Sequence, residues 1–259
     1  MNSVKEDVCR DPRGDKADLT EYIDLLTKGY IVDRNVKLEK WKSNKLPDWQ
    51  VLGNKYRWFK YECDIVLTKY SRGDSLSSLI PDVAHNIHTL SAVYEEVKLH
   101  DESNELQDDS RISSLLPAHI LTRLRFGLFV SCLIKDEELK REYVKSIPEN
   151  EDKVLDTLLA KLDPSRRVYE YVKYPDPIYD PYFIDLALIE EIIEGCDNEA
   201  ERKGLVEEYL DTYGKKIEAS WPYWCFEIGF VMKVFNFDDS YLESHPHYPW
   251  ELVKFNFSK

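Results

Sequence analysis

Several familiar signatures are missing from this 259-residue sequence. No apolar run approaches the roughly 20 residues that a membrane helix needs, and the longest, such as 126–134, stop far short of it. The first 20 positions carry Lys5, Glu6, Asp7, Arg10, Asp11, Arg13, Asp15, Lys16 and Asp18 with no apolar core. No secretory signal is therefore legible, and the chain is expected in the cytoplasm. Cysteine is sparse, an odd five residues (Cys9, Cys63, Cys132, Cys196, Cys225) with no C-x-x-C pair, which suits reduced thiols rather than a disulfide framework. Basic side chains are the minority, 35 against 49 acidic ones, so the net charge of −14 would repel phosphates and argues against nucleic acid as a direct ligand. There is no G-x-G-x-x-G, Walker loop, G-x-S-x-G or H-E-x-x-H, which leaves the common nucleotide, hydrolase and zinc-protease sites unsupported.

What is present is a globular composition, 43% hydrophobic and 32% charged, which excludes the disordered classes. Its charge is unevenly spread. Residues 1–72 carry a net of +3, whereas 95–110 hold seven acids and one base, and 181–214 hold ten acids and two bases. Such runs are commonly solvated helix faces; gathered together they would make an acidic docking surface.

Helical periodicity dominates, and strand-like alternation is scarce. Leu19, Tyr22, Ile23, Leu26 and Tyr30 follow i, i+3, i+4, i+7 spacing, which predicts an amphipathic helix that runs on less cleanly through Leu38 and Trp41 and ends before Pro47. Trp58, Phe59, Cys63, Val66, Leu67 and Tyr70 make a second stripe, closed by Gly73, a residue suited to a left-handed cap. A third runs from Leu76 to Val97, with Pro81 tolerable near its start or as a kink. The polar segment 101–110 reads as a boundary loop. Helices resume at 118–133, apolar almost all round and so buried on most sides, then at 136–144, 151–162, 182–194 and 199–213, with a proline- and tyrosine-rich turn at 174–181. The end of the chain is aromatic, and Glu227 lies inside an apolar run, where a carboxylate must be paired, hydrogen-bonded or neutral. The prediction is an all-α, bundle-like protein with an aromatic C-terminal helix and tail.

Candidate chemistry is thin. His85 and His88 stand three apart on a predicted helix and could face one metal, but no carboxylate or cysteine partner is defined for them. His245 and His247 read as surface or packing residues, and Arg72-Gly73-Asp74 as a helix stop followed by a cap.

The run Tyr223-Trp224-Cys225-Phe226-Glu227, then a short apolar helix, Phe237-Asp238-Asp239-Ser240 and Tyr248-Pro249-Trp250-Glu251-Leu252, resembles the C-terminal signature of PoNi-type immunity proteins. These are antidotes to PoNe DNase toxins of bacterial competition systems, including type VI secretion. Tyr70-Ser71-Arg72-Gly73-Asp74-Ser75-Leu76 resembles the helix junction of the family's N-terminal region. The resemblance spans 18–253, an N-terminal region at 18–100 and a C-terminal one at 111–253, expected to pack as one globular unit. Ile228-Gly229-Phe230, His247 and Glu251 depart from the family pattern while keeping its apolar, aromatic or acidic character. The resemblance implies a non-enzymatic helical protein with no catalytic residue, metal or cofactor. It would bind its toxin one to one and block DNA cleavage, touching neither nucleic acid nor membrane. A DNase must present a basic groove to DNA, and clustered carboxylates can use that field. The expected contacts are Asp101, Glu102, Glu105, Asp108 and Asp109 in the loop, and Glu190, Glu191, Glu194, Glu201, Glu207, Glu208 and Asp211 on the helices. Gly73, Trp224, Phe226, Glu227, Asp238, Asp239, Tyr248, Pro249 and Trp250 are expected to be structural. Two other readings stay open: a helical adaptor for an unrelated basic protein, and an all-α metal-dependent enzyme using buried carboxylates or His85 and His88.

Overall fold

The computed structural model describes residues 9–31, 34–43, 48–102, 117–149, 152–170, 185–196, 198–217 and 223–256. Among them are eleven α-helices and no strand, so the protein is all-α. They fall into two compact units, Met1–Leu115 and Leu116–Lys259.

In the first unit, Asp15 caps α1 (Lys16–Leu26) by accepting from the Ala17 N–H, and the helix widens into a π-turn, Thr27–Ile31. The continuous helix expected here is thus interrupted, and α2 (Arg34–Ser43) is a separate element. Only part of the predicted stripe is buried: Ile23 and Leu26 pack towards α3 (Asp48–Arg72), while Tyr22 stays 37% exposed. The long hairpin of α3 and α4 (Leu76–Glu102) forms the core, with Phe59, Cys63, Val66, Leu67 and Tyr70 buried on one helix and Leu79, Val83, Ile87 and Leu90 on the other. The two are joined at Gly73, whose φ of 96° is the left-handed conformation. The Gly73 and Asp74 N–H groups return to the Tyr70 and Lys69 carbonyls at 3.1 Å each, a Schellman ending that only glycine adopts without a Cβ penalty. Ser75 then accepts from the Ser78 N–H and starts α4, which accommodates Pro81 six residues in. Arg10 secures the junction by donating to the Tyr70 and Asp74 carbonyls at 2.8 and 2.7 Å.

The second unit begins with α5 (Pro117–Leu133), which buries Leu124, Phe126, Leu128, Phe129, Val130 and Leu133 and packs chiefly on α10 (Phe226–Phe235). The pair approaches closely because each helix offers a glycine to the other: a Cβ on Gly127 would lie 2.6 Å from the Phe230 ring, and one on Gly229 2.8 Å from Leu128. Between them in sequence come α6 (Glu137–Lys145) and α7 (Lys153–Leu162), each with an aspartate, Asp136 or Asp152, accepting from two first-turn N–H groups. Then follow α8 (Leu186–Glu190), which runs into a π-turn at Glu191–Gly195, and α9 (Glu199–Ile217). After α10 a 3-10 turn (Ser240–Leu242) and the short α11 (Trp250–Val253) close the unit. The predicted turn at 174–181 lies outside the described residues.

Candidate functional site

The C-terminal segment is built around α10. Phe226 and Glu227 are fully buried, Phe226 against Phe129 with ring centroids 5.2 Å apart. Glu227 is placed beside the almost fully buried Arg125, whose Nε lies 3.6 Å from Oε2, an ion pair just beyond hydrogen-bond distance. The pair sits close to Tyr209 and Cys225, whose pKa values are both pushed well above their ordinary range, first by burial and then by the Glu227 charge. The helix ends at Asn236, left-handed at φ 53°, so that Phe237 N–H returns to the Met232 carbonyl. Beyond it, Asp239 is buried and accepts from the Tyr248 hydroxyl at 2.9 Å and from Lys254, which also lies over the Trp250 ring. Burial, then Asp239, push the Tyr248 hydroxyl far above its ordinary pKa, so it stays protonated and keeps donating. Pro249 is buried against Gly229, and the Trp224 carbonyl accepts from Tyr213.

This tail lies along α9. Lys203 pairs with Asp238 at 2.9 Å, Glu207 acts on Tyr241, Asp211 faces His245 at 4.0 Å, and His247 fits against Gly214, where a Cβ would sit 2.6 Å from Nε2. Positions 203, 207, 211 and 214 are one stripe of a 3.6-residue helix, so one edge of α9 is committed to the tail. Burial, then Glu207, push the Tyr241 hydroxyl up to about 12. Val206, Tyr209, Leu210 and Tyr213 face the core. Glu201, Gly204 and Glu208 lie on the opposite, exposed side.

The acidic residues singled out from sequence are therefore not equivalent. Glu190 and Glu194 are held by Lys153, 2.7 and 2.9 Å away, which also reaches Glu170 at 3.3 Å. Those carboxylates raise the Lys153 pKa and keep it charged. Glu207 and Asp211 are exposed but lie beside the tail, while Glu191, Glu201 and Glu208 point outward. Asp101 and Glu102 form the last residues of α4 rather than a loop, and Glu105, Asp108 and Asp109 lie outside the described residues.

Two polar clusters were not legible in the sequence. Arg166, with Asp156 fully buried beneath it, donates from Nε to that carboxylate at 3.0 Å and from its terminal nitrogens to the Val144 and Pro148 carbonyls, tying the end of α6 to α7. In the first unit, buried Glu62 accepts from Arg34 at 3.0 Å and meets His85 at 3.4 Å. Desolvation raises the Glu62 pKa, and His85, Thr89 and Arg34 oppose it. Partners 10 to 28 positions apart leave no periodic signal. His85 thus has a carboxylate partner, but among the described residues no three of His, Cys, Asp and Glu come together as metal ligands.

Residues 10–124 match the family model for the N-terminal region of the PoNe immunity protein (PoNi), and residues 150–252 match the model for its C-terminal region. No curated protein matches the sequence. Among solved structures, protein PA2201 from Pseudomonas aeruginosa superposes with a TM-score of 0.71 over 96% of this chain and 90% of that one, at 14% identity, which shows a shared fold. The class is that of the immunity proteins, inhibitors that perform no chemistry of their own. The chain belongs to the PoNi family, whose partner is a PoNe toxin.

Proposed function

We propose that the protein neutralises a PoNe toxin that is a DNase, by forming a one-to-one complex in the cytoplasm, and that carboxylates on the outward side of α9 and the adjoining π-turn make the first contact. The supporting observation is the exposure of acids in the second unit: Glu191, Glu201 and Glu208 are exposed on α9 and the π-turn before it. Gly204 stands between Glu201 and Glu208 with nothing within 4 Å of a Cβ built there, so the helix backbone is approachable. A nuclease built to attract a polyanion is drawn to such a face, which speeds capture, while affinity comes from a few desolvated anchors. Asp101, Glu102, Glu105, Asp108 and Asp109 are further candidate contacts in this reading.

The test is a set of charge reversals, Glu191→Lys, Glu201→Lys and Glu208→Lys together, in protein whose helical circular dichroism is intact. The association rate with the toxin should fall by about tenfold or more, should lose most of its salt dependence, and co-expressed cells should lose protection. Wild-type association and unimpaired protection would remove the acidic face from the mechanism. Protection without any isolable complex would remove the inhibitor reading itself.

A further inference from the structure

The tail meets the C-terminal half of α9 through two histidines whose hydrogen bonds define their protonation. His247 Nδ1 lies 3.2 Å from the Tyr223 carbonyl, which can only accept, so this nitrogen carries the proton. The His247 backbone N–H in turn points at His245 Nδ1, 3.3 Å away. A backbone N–H can only donate, so His245 Nδ1 must be bare, and the neutral ring keeps its proton on Nε2, the nitrogen facing Asp211. The arrangement is an Asx-like turn in which an imidazole replaces the usual side-chain oxygen. It sets the ring of His247 against Gly214 and lets the His247 carbonyl accept from the Cys225 N–H at 2.8 Å, at the start of α10.

We propose that His245 is an acid-sensitive clip that fastens the C-terminal tail to α9. A second proton can enter only at Nδ1, where it faces the His247 N–H; acceptor becomes donor and the turn is lost. The groups facing His245 are His247 in the same turn, 5.9 Å between ring centroids, and Asp211 and Glu207 on α9. The two carboxylates favour the charged ring; burial and His247 oppose them and prevail, so its pKa lies below the ordinary 6.5. The folded state therefore binds this proton less readily than the unfolded chain, and the clip's contribution is present in full above about pH 6.5 and lost as pH falls towards the folded value.

The experiment compares thermal unfolding of the full chain at pH 7.5 and pH 5.0 with that of His245→Asn. Asparagine keeps an oxygen acceptor for the His247 N–H and cannot titrate. The acid-induced drop in Tm should be about 2–4 °C larger in the wild type than in the variant. Equal drops would overturn the proposal. A measurement on wild-type protein makes the outcome independent of how the variant folds: the His245 ring resonances should titrate with a midpoint below 6.5, and a midpoint at or above it also overturns the clip. Asp211→Asn, which removes an attraction for the charged ring, should move that midpoint lower still.

Discussion

Arg166 and Asp156 make a buried ion pair in the second unit, and their removal separates two kinds of loss. Arg166→Ala or Asp156→Ala strands a buried charge and should cost about 3–5 kcal/mol in urea unfolding. The paired change to Met and Leu strands no charge, although it takes a donor from the Val144 and Pro148 carbonyls, and should cost less than either single substitution; a larger loss would mean that those carbonyls depend on the guanidinium more than the aspartate does. Thiol labelling offers a second residue-scale check. Burial pushes the Cys132 thiol up to about 11 and raises Cys63 and Cys225 well above their ordinary value, so these three should react only on unfolding. The half-buried Cys9 and Cys196 should label first in native protein.

Among the elements, glycines with different neighbours should give opposite signs. Gly229→Ala forces a Cβ against Leu128, Pro249 and Val253 at 2.8, 3.0 and 3.3 Å and should destabilise by about 1–3 kcal/mol. Gly204→Ala meets nothing within 4 Å in the exposed middle of α9 and should stabilise by about 0.5–1 kcal/mol, which a shift in urea midpoint would register. Loss of stability in the second variant would show that α9 is not helical around Gly204. Most helices were readable from periodicity and punctuation: Gly73 ends α3, and α6 and α7 begin one or two positions after their expected starts because Asp136 and Asp152 serve as caps outside the helix. The interruption between α1 and α2 was not readable. Its stripe continues weakly through Leu38, and a π-turn changes the hydrogen-bond register without marking the sequence. Likewise Tyr22 has helical spacing, yet it stays 37% exposed, because periodicity marks a face of the helix and not how deeply each residue on it is covered.

For the whole molecule, composition and pattern determined the class. A −14 charge argued against nucleic acid as a direct ligand, 3.6-residue periodicity pointed to helices, and the aromatic motifs carried the resemblance to PoNi proteins that the family match establishes. These properties are local or additive, so they survive in a linear reading. If the proposed acidic face guides capture, raising salt from about 50 to 200 mM should slow toxin binding while leaving unfolding midpoints nearly unchanged, because exposed charges are screened and the buried pairs are not. What only the tertiary structure decided was which carboxylates are clasped by a lysine from another helix and which lie beside the tail. Glu190 and Glu194 look identical to Glu191 in sequence, but Lys153 approaches them from α7, dozens of positions away; Glu207 and Glu208 are adjacent, but one helical step of 100° turns the first towards the tail and the second towards solvent. Side-chain partnership depends on distances across the fold, and no one-dimensional pattern encodes them.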